Sequence, residues 1–213
     1  MNEYEKEIVK LVNYSQWLSA DDETKKAMMI KILQFTNDYF GMDVELSFTM
    51  PEGFEAAYGL TDPETGNIMV NESVFEEEQH FLALFFFLHE LRHGIQKART
   101  ELFSEEIAIN CNHEIQFDGT GYLVDGKEVI TVHMDGSQDF FTELYLGSPA
   151  EMDANKFAYD ILHQVCDDKE LDEHYRFWSP SYDIISKDNM LNEFLKACKQ
   201  IDLLAKEQRN NLQ

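Results

Sequence analysis

Basic residues are what this chain most lacks. Its 213 residues hold 17 Lys and Arg against 41 Asp and Glu, a formal net charge of −24 at pH 7. A surface so acidic repels a phosphate backbone, because nucleic-acid binding draws much of its free energy from cationic side chains that release counterions. Direct nucleic-acid binding is therefore not expected. Two readings of the charge remain: a well-solvated surface, or a face that takes basic partners or imitates nucleic acid.

Cysteine is scarce as well. Cys111, Cys166 and Cys198 are odd in number and far apart, with no CxxC pair. That excludes a disulfide framework or a thiolate zinc site and leaves small buried hydrophobes in a reducing interior. Long apolar runs are missing too. The longest, Phe81 to Leu88, is too short to span a bilayer. The opening residues Met1-Asn2-Glu3-Tyr4-Glu5 lack the basic and apolar regions of a signal peptide. A cytoplasmic protein without membrane attachment is expected. With no internal repeat, one domain is expected over 1–213, with a helical part at 1–41, a core at 42–165 and a second helical part at 166–213.

What is present is pattern. Ile8, Val9, Leu11, Val12 and Leu18 recur at helical spacing, which predicts a helix over 4–18. A second helix is expected from Ser19, where Ser19 and Asp22 have capping-box spacing, to Gly41. Val44, Leu46 and Phe48 alternate with polar neighbours, as in a half-buried strand. Ala56 to Leu60 and Ile68 to Asn71 read as two more strands, parted by turn-forming residues at 61–67. The three are expected to make a small antiparallel sheet. A helix then runs from between Ser73 and Glu78 to about Lys97, apolar on nearly every face as far as Leu88 and so buried. Residues 115–132 read as a hairpin turning at Asp125-Gly126. Ser148-Pro149 opens another helix, and a last one covers 188–207.

Into the buried helix the chain sets His89-Glu90-Leu91-Arg92-His93. Buried polar groups cost free energy unless they are partnered, so their presence needs a reason. Residues four apart project from one helix face, and two imidazoles so placed can take two corners of a tetrahedral zinc site. Glu90 follows the first imidazole, where a carboxylate can hold and deprotonate a zinc-activated water. The plain alternative is a pair of solvated or capping histidines; the apolar lead-in argues against it. A zinc hydrolase needs a third protein ligand. The metzincin pattern would put Gly at 96 and His at 99, and Gln96 and Arg99 stand there instead. The other common solution is a Glu on a later helix. Glu151-Met152-Asp153-Ala154-Asn155 offers Glu151, with Asn155 on the same face to orient a ligand histidine. A second reading stays open, because Ser148-Pro149-Ala150-Glu151 has capping-box spacing and Glu151 could simply cap its helix. Asp153 would then be the substitute ligand.

His89 to His93, followed by Glu151-Met152-Asp153-Ala154-Asn155-Lys156-Phe157-Ala158, resembles the ImmA/IrrE family of zinc metallopeptidases, whose pattern is HExxH and then ExxA(N/D)xFA. The lead-in, Tyr58-Gly59-Leu60 and then Gly66-Asn67-Ile68-Met69-Val70-Asn71, is similar to the family's substrate-edge strand. The resemblance runs unevenly over 44–165. It implies an α+β minimal zincin fold, gluzincin-like, with a small antiparallel sheet packed on the HExxH helix and a second Glu-bearing helix. Extra N- and C-terminal helices would flank it here. It implies one Zn2+ held by His89, His93 and Glu151, with Glu90 as general base and Asn155 and Asp153 behind the ligands. Ile68, Met69 and Val70 would pair with an extended protein or peptide substrate. The implied activity is peptide hydrolysis, often aimed at regulatory proteins of bacteria and their mobile elements. The competing reading is a non-enzymatic acidic binder, antitoxin-like or a nucleic-acid mimic, on a zincin scaffold. Glu90 weighs against it, since a retired scaffold has no use for a base. His133, Tyr145, Tyr159 and His163 are candidates for oxyanion stabilisation that spacing does not single out. His80, His113 and His174 read as ordinary.

Overall fold

The computed structural model describes residues 1–126, 128–166 and 169–211. In chain order the elements are α1 (Glu3–Val12), α2 (Tyr14–Ser19), α3 (Asp22–Phe40), β1 (Leu46–Ser47), β2 (Gly59–Thr61), β3 (Ile68–Val70) and α4 (Leu82–Ala98). There follow α5 (Glu105–Asn112), β4 (His113–Ile115), β5 (Thr120–Asp125), β6 (Glu128–His133) and α6 (Gln138–Leu146). The chain closes with α7 (Pro149–Leu162), α8 (Lys169–Phe177) and α9 (Met190–Asn211). The fold is α+β, and the strands described form two three-stranded sheets, ordered β1-β3-β2 and β4-β5-β6. Contacts group the residues into two compact units, Met1–Arg99 with Ala154–Tyr175 and Thr100–Asp153 with Arg176–Gln213.

In the first unit the helix expected over 4–18 is two helices. Asn13 takes the left-handed conformation, φ 37°, which ends α1 and starts α2; asparagine is among the few residues besides glycine that accept it at low cost. The cap of α3 is Asp21, whose carboxylate accepts from the Thr24 amide at 2.8 Å. Ser19 does not cap it, because its hydroxyl donates back to the Gln16 carbonyl. Tyr4 ties α1 to α3 through a 3.0 Å bond with the Thr36 hydroxyl and ring contacts with Phe35, Tyr39 and Phe40.

The first sheet is mixed, not antiparallel. β1 runs parallel to β3 and β2 antiparallel to it. β3 is therefore the middle strand, and Ile68, Met69 and Val70 are not the sheet edge that the sequence led us to expect. The reason is burial: Ile68 and Val70 are fully enclosed, and the most apolar strand of a small sheet is best covered in the middle. Asn67 secures the arrangement by accepting from the Glu45 amide, while the Ile68 amide donates to the Glu45 carbonyl. β1 and β2 are the edges.

The helix expected from the 73–78 region starts later. Residues Glu72–Glu76 form a 3-10 turn capped by Asn71, and α4 begins at Leu82. The Trp17 indole donates to the His80 carbonyl at 2.8 Å, which diverts that group from helical pairing. From Leu82 to Leu91 every side chain of α4 is buried. The later part of α7 packs beside α4: the Arg92 guanidinium lies 5.0 Å over the Phe157 ring, and that ring stacks on Tyr4. α8 meets α4 through His174, whose ring stands edge-on to Phe81, Phe85 and Phe86.

In the second unit β5 and β6 form the hairpin expected at Asp125-Gly126, with Asp125 opposite Glu128. Its inner face joins α6 and α9 in one core that includes Ile130, Val132, Phe141, Phe194 and Ile201. A side chain on Gly121 would meet Ile201 at 2.7 Å, so the strand carries glycine where the helix presses closest. Buried Glu143 of α6 accepts from the Ser181 hydroxyl at 2.7 Å and from the amides of Asp183, Ile184 and Ile185 at 2.6, 3.0 and 2.6 Å. Burial opposes its charge, but these four donors outweigh it and hold the carboxyl below its ordinary range.

Candidate metal centre

The two histidines of α4 turn the same nitrogen toward one another. Their Nε2 atoms are 3.0 Å apart, and the rings are nearly perpendicular at 80°. In a tetrahedral zinc site with Zn–N near 2.0–2.1 Å, two ligand nitrogens stand about 3.3–3.4 Å apart. The observed pair is within a few tenths of an ångström of that. His93 Nδ1 faces Gln96 Oε1 at 2.8 Å, and Gln96 is 1% exposed. His89 is 8% exposed. His89 is thus enclosed, and the Gln96 contact fixes the orientation of the His93 ring.

Glu151 sits in the first turn of α7. One ligand atom each from His89, His93 and Glu151 lies within 4.8 Å of the other two. The three could hold a metal ion, and two imidazole nitrogens with one carboxylate oxygen suit a borderline divalent ion such as zinc. The Ser148 amide, which a capping box would use, donates to the Tyr145 carbonyl at 3.0 Å. α7 is anchored otherwise. The Ala150 amide donates to the buried Asn110 side chain of α5 at 2.8 Å, satisfying one of the unpaired donors at a helix start immediately before Glu151. Asn155 is buried one turn beyond Glu151. Asp153 is half-buried and is not a member of the group.

Glu90 is 6% exposed and has a seat built by β2. Thr61 donates its hydroxyl to Glu90 Oε2 at 2.7 Å. A Cβ on Gly59 would lie 2.6 Å from Oε1 and 2.7 Å from Cγ of the same side chain. Gly59 and Thr61 are two residues apart on a strand, so they face the same way. One leaves room for the carboxylate and the other grips it. Neither was singled out by its role in the sequence, nor were Gln96 and Asn110. The available signal was Gly59 itself, since glycine inside a strand often marks a close approach.

His174, which looked ordinary in sequence, stands in an aromatic pocket. Its ring centre is 4.5 Å from that of Phe85. Burial, helped by the neighbouring His89, pushes its pKa down to about 4, so it is neutral at pH 7. The four oxyanion candidates, His133, Tyr145, Tyr159 and His163, each have a local neighbour. Tyr159 stacks with His163 and Tyr175 and donates to Asp172. Tyr145 packs on Phe117, and His133 lies beside Thr120. In the second unit His113 pairs with Asp202 at 2.8 Å.

No lysine or arginine occurs between Lys31 and Arg92, so the first sheet and the stretch that brings in His89 and Glu90 carry charge of one sign. Among the described residues no helix is long and apolar enough to cross a membrane. Comparison with family models, with curated proteins and with solved structures found no match for this chain.

Proposed function

We propose that this protein is a zinc metallopeptidase, with Zn2+ held by His89, His93 and Glu151 and Glu90 as general base. The observation that carries the reading is the convergence of these three ligand atoms, from two separate helices, to within 4.8 Å. The paired motifs support it through their likeness to the ImmA/IrrE family and its gluzincin-like fold. When bound, such an ion supplies a Lewis acid and acidifies a water toward a pKa of about 7.

The chain's own residues supply the rest. Glu90 takes the proton and passes it to the leaving amine. Thr61 holds Oε2 by its hydroxyl, so the carboxylate keeps one orientation through both transfers. An extended peptide would pair with β2, which has a strand neighbour on one side only among the described residues, and not with β3. The three cysteines are free and buried, in keeping with a cytoplasmic setting.

Elemental analysis of the purified protein tests the site. The expected result is about one zinc per chain, lost in Glu151→Ala. Full retention in that variant removes Glu151 from the ligand set. Glu90→Gln should keep the metal and abolish cleavage of a peptide library; persistent cleavage overturns the assignment of the base.

A further inference from the structure

Asn110 belongs to no motif, yet it is buried in α5 and reaches the residue directly before Glu151. Its Oδ1 accepts from the Ala150 amide at 2.8 Å, and its Nδ2 donates to the His113 carbonyl at 3.3 Å. We infer that Asn110 is a positioning residue for the metal: it holds the first turn of α7 against α5 and so sets where the Glu151 carboxylate stands. This rests on the zinc reading above.

A side-chain amide has one accepting end and one donating end. Here the oxygen meets an N–H and the nitrogen meets a C=O, so turning the group over would break both bonds. Asn110 is thereby fixed at both ends. The start of α7 has few bonds of its own. Pro149, its first residue, has no N–H. The Met152 amide donates to the Ser148 carbonyl at 3.0 Å. Between them stand the amides of Ala150 and Glu151, for which the helix has no carbonyl far enough back. Asn110 takes the first of these. A serine or threonine cap from the adjoining chain would satisfy the same amide but would move with its helix. An asparagine 40 residues away ties the turn to another element instead. His89 and His93 share one helix and keep their spacing by themselves. The third ligand arrives on a different helix, so its place depends on what fixes that helix, and loosening the support of a ligand weakens the metal.

Titration of the full chain with zinc sulfate against a competing chelator reads this directly. Asn110→Leu should weaken zinc binding about 10- to 100-fold. Asn110→Asp keeps the accepting oxygen and should bind within a few-fold of wild type. In the Glu151→Ala background Asn110→Leu should change the residual affinity by less than about 2-fold, because it acts only through Glu151. Equal losses in the two backgrounds overturn the proposal. Glu143→Gln is the control for stability: it disturbs another buried polar anchor, the one that holds residues 181–185, and should leave zinc affinity at the wild-type value. If it loses as much affinity as Asn110→Leu, the role of Asn110 is folding alone and the proposal falls. Unchanged zinc affinity in Asn110→Leu sinks this inference and leaves the zinc site standing. A wild type that takes up no zinc sinks both. If Asn110→Leu does not fold, Asn110→Ser, whose shorter side chain withdraws the oxygen from the Ala150 amide, takes its place with the same expected loss.

Discussion

The two sheets each carry a glycine pressed by a side chain from a helix, and the two visitors differ. In the first sheet Gly59 makes room for the Glu90 carboxylate; in the second Gly121 makes room for the Ile201 hydrocarbon. The backbone device is the same, a strand position without a Cβ where another element comes close. At Gly121 the gain is packing, and the neighbours are core residues such as Val132. At Gly59 the gain is a buried carboxyl group in a fixed place, with Thr61 two residues on to bind it. A glycine inside a strand therefore signals close approach, and what approaches differs: a polar carboxyl group at Gly59, hydrocarbon at Gly121.

Adding a methyl group at each position should break the symmetry of that comparison most sharply. Gly59→Ala displaces Glu90 and should lower kcat on the order of 100-fold or more, since misplaced catalytic groups cost heavily, while zinc content stays near wild type. Gly121→Ala overpacks a core and should lower stability by about 1–3 kcal/mol with kcat per folded molecule unchanged. Denaturant titration and peptide turnover on the same preparations separate the two. Equal losses of turnover in both variants would erase the distinction.

Acid should also tell the regions apart. His174 has a folded pKa of about 4, below the ordinary 6.5. Its contribution is full above 6.5 and is lost as pH falls from 6.5 through about 4, because the unfolded chain binds the proton first. That contribution is on the order of 3 kcal/mol at most. Glu143 is also lowered, from 4.5, so its contribution is full above 4.5 and is lost only as pH falls below that through its folded value. Stability of the wild type should thus start to fall below pH 6.5, and His174→Phe should flatten that upper limb while Glu143→Gln alters only the lower one. A wild-type curve flat between 6.5 and 4.5 would contradict the account of His174.

The smallest expected effect sharpens the comparison at its polar end. Thr61→Val leaves an oxygen of Glu90 without the Thr61 donor, a loss of about 1–2 kcal/mol, and should lower kcat about 10-fold with KM little changed. Thr61→Ser keeps the hydroxyl and should recover most of it. A serine variant as slow as the valine one would mean the methyl group, not the bond, matters.

How much of this was legible in the chain depends on how local each feature is. His89, Glu90 and His93 were visible because one helical turn brings them together, and the Asp125-Gly126 hairpin because its turn chemistry is local. The order of the first sheet was not, because β3's place in the middle depends on what covers Ile68 and Val70 from elsewhere. Gln96 counted only as the absence of a glycine, since its bond to His93 Nδ1 depends on rotamers that spacing does not specify. Asn110 gave no sign of meeting Ala150, forty residues on. α8 was missed because only Leu171 of its residues is buried, too thin a stripe to read as a helix.

The gap in basic residues has a use in peptide mapping. Trypsin cuts after lysine and arginine, so a denatured digest should release Ile32 to Arg92 as one fragment. Its last bond falls between His89 and His93. In the folded chain that bond is shielded by the middle of a helix whose Arg92 lies over Phe157. Cleavage after Arg92 therefore requires α4 to open. The rate at which this one fragment end appears is a natural clock for opening at the two histidines, and it should slow when an ion bridges them.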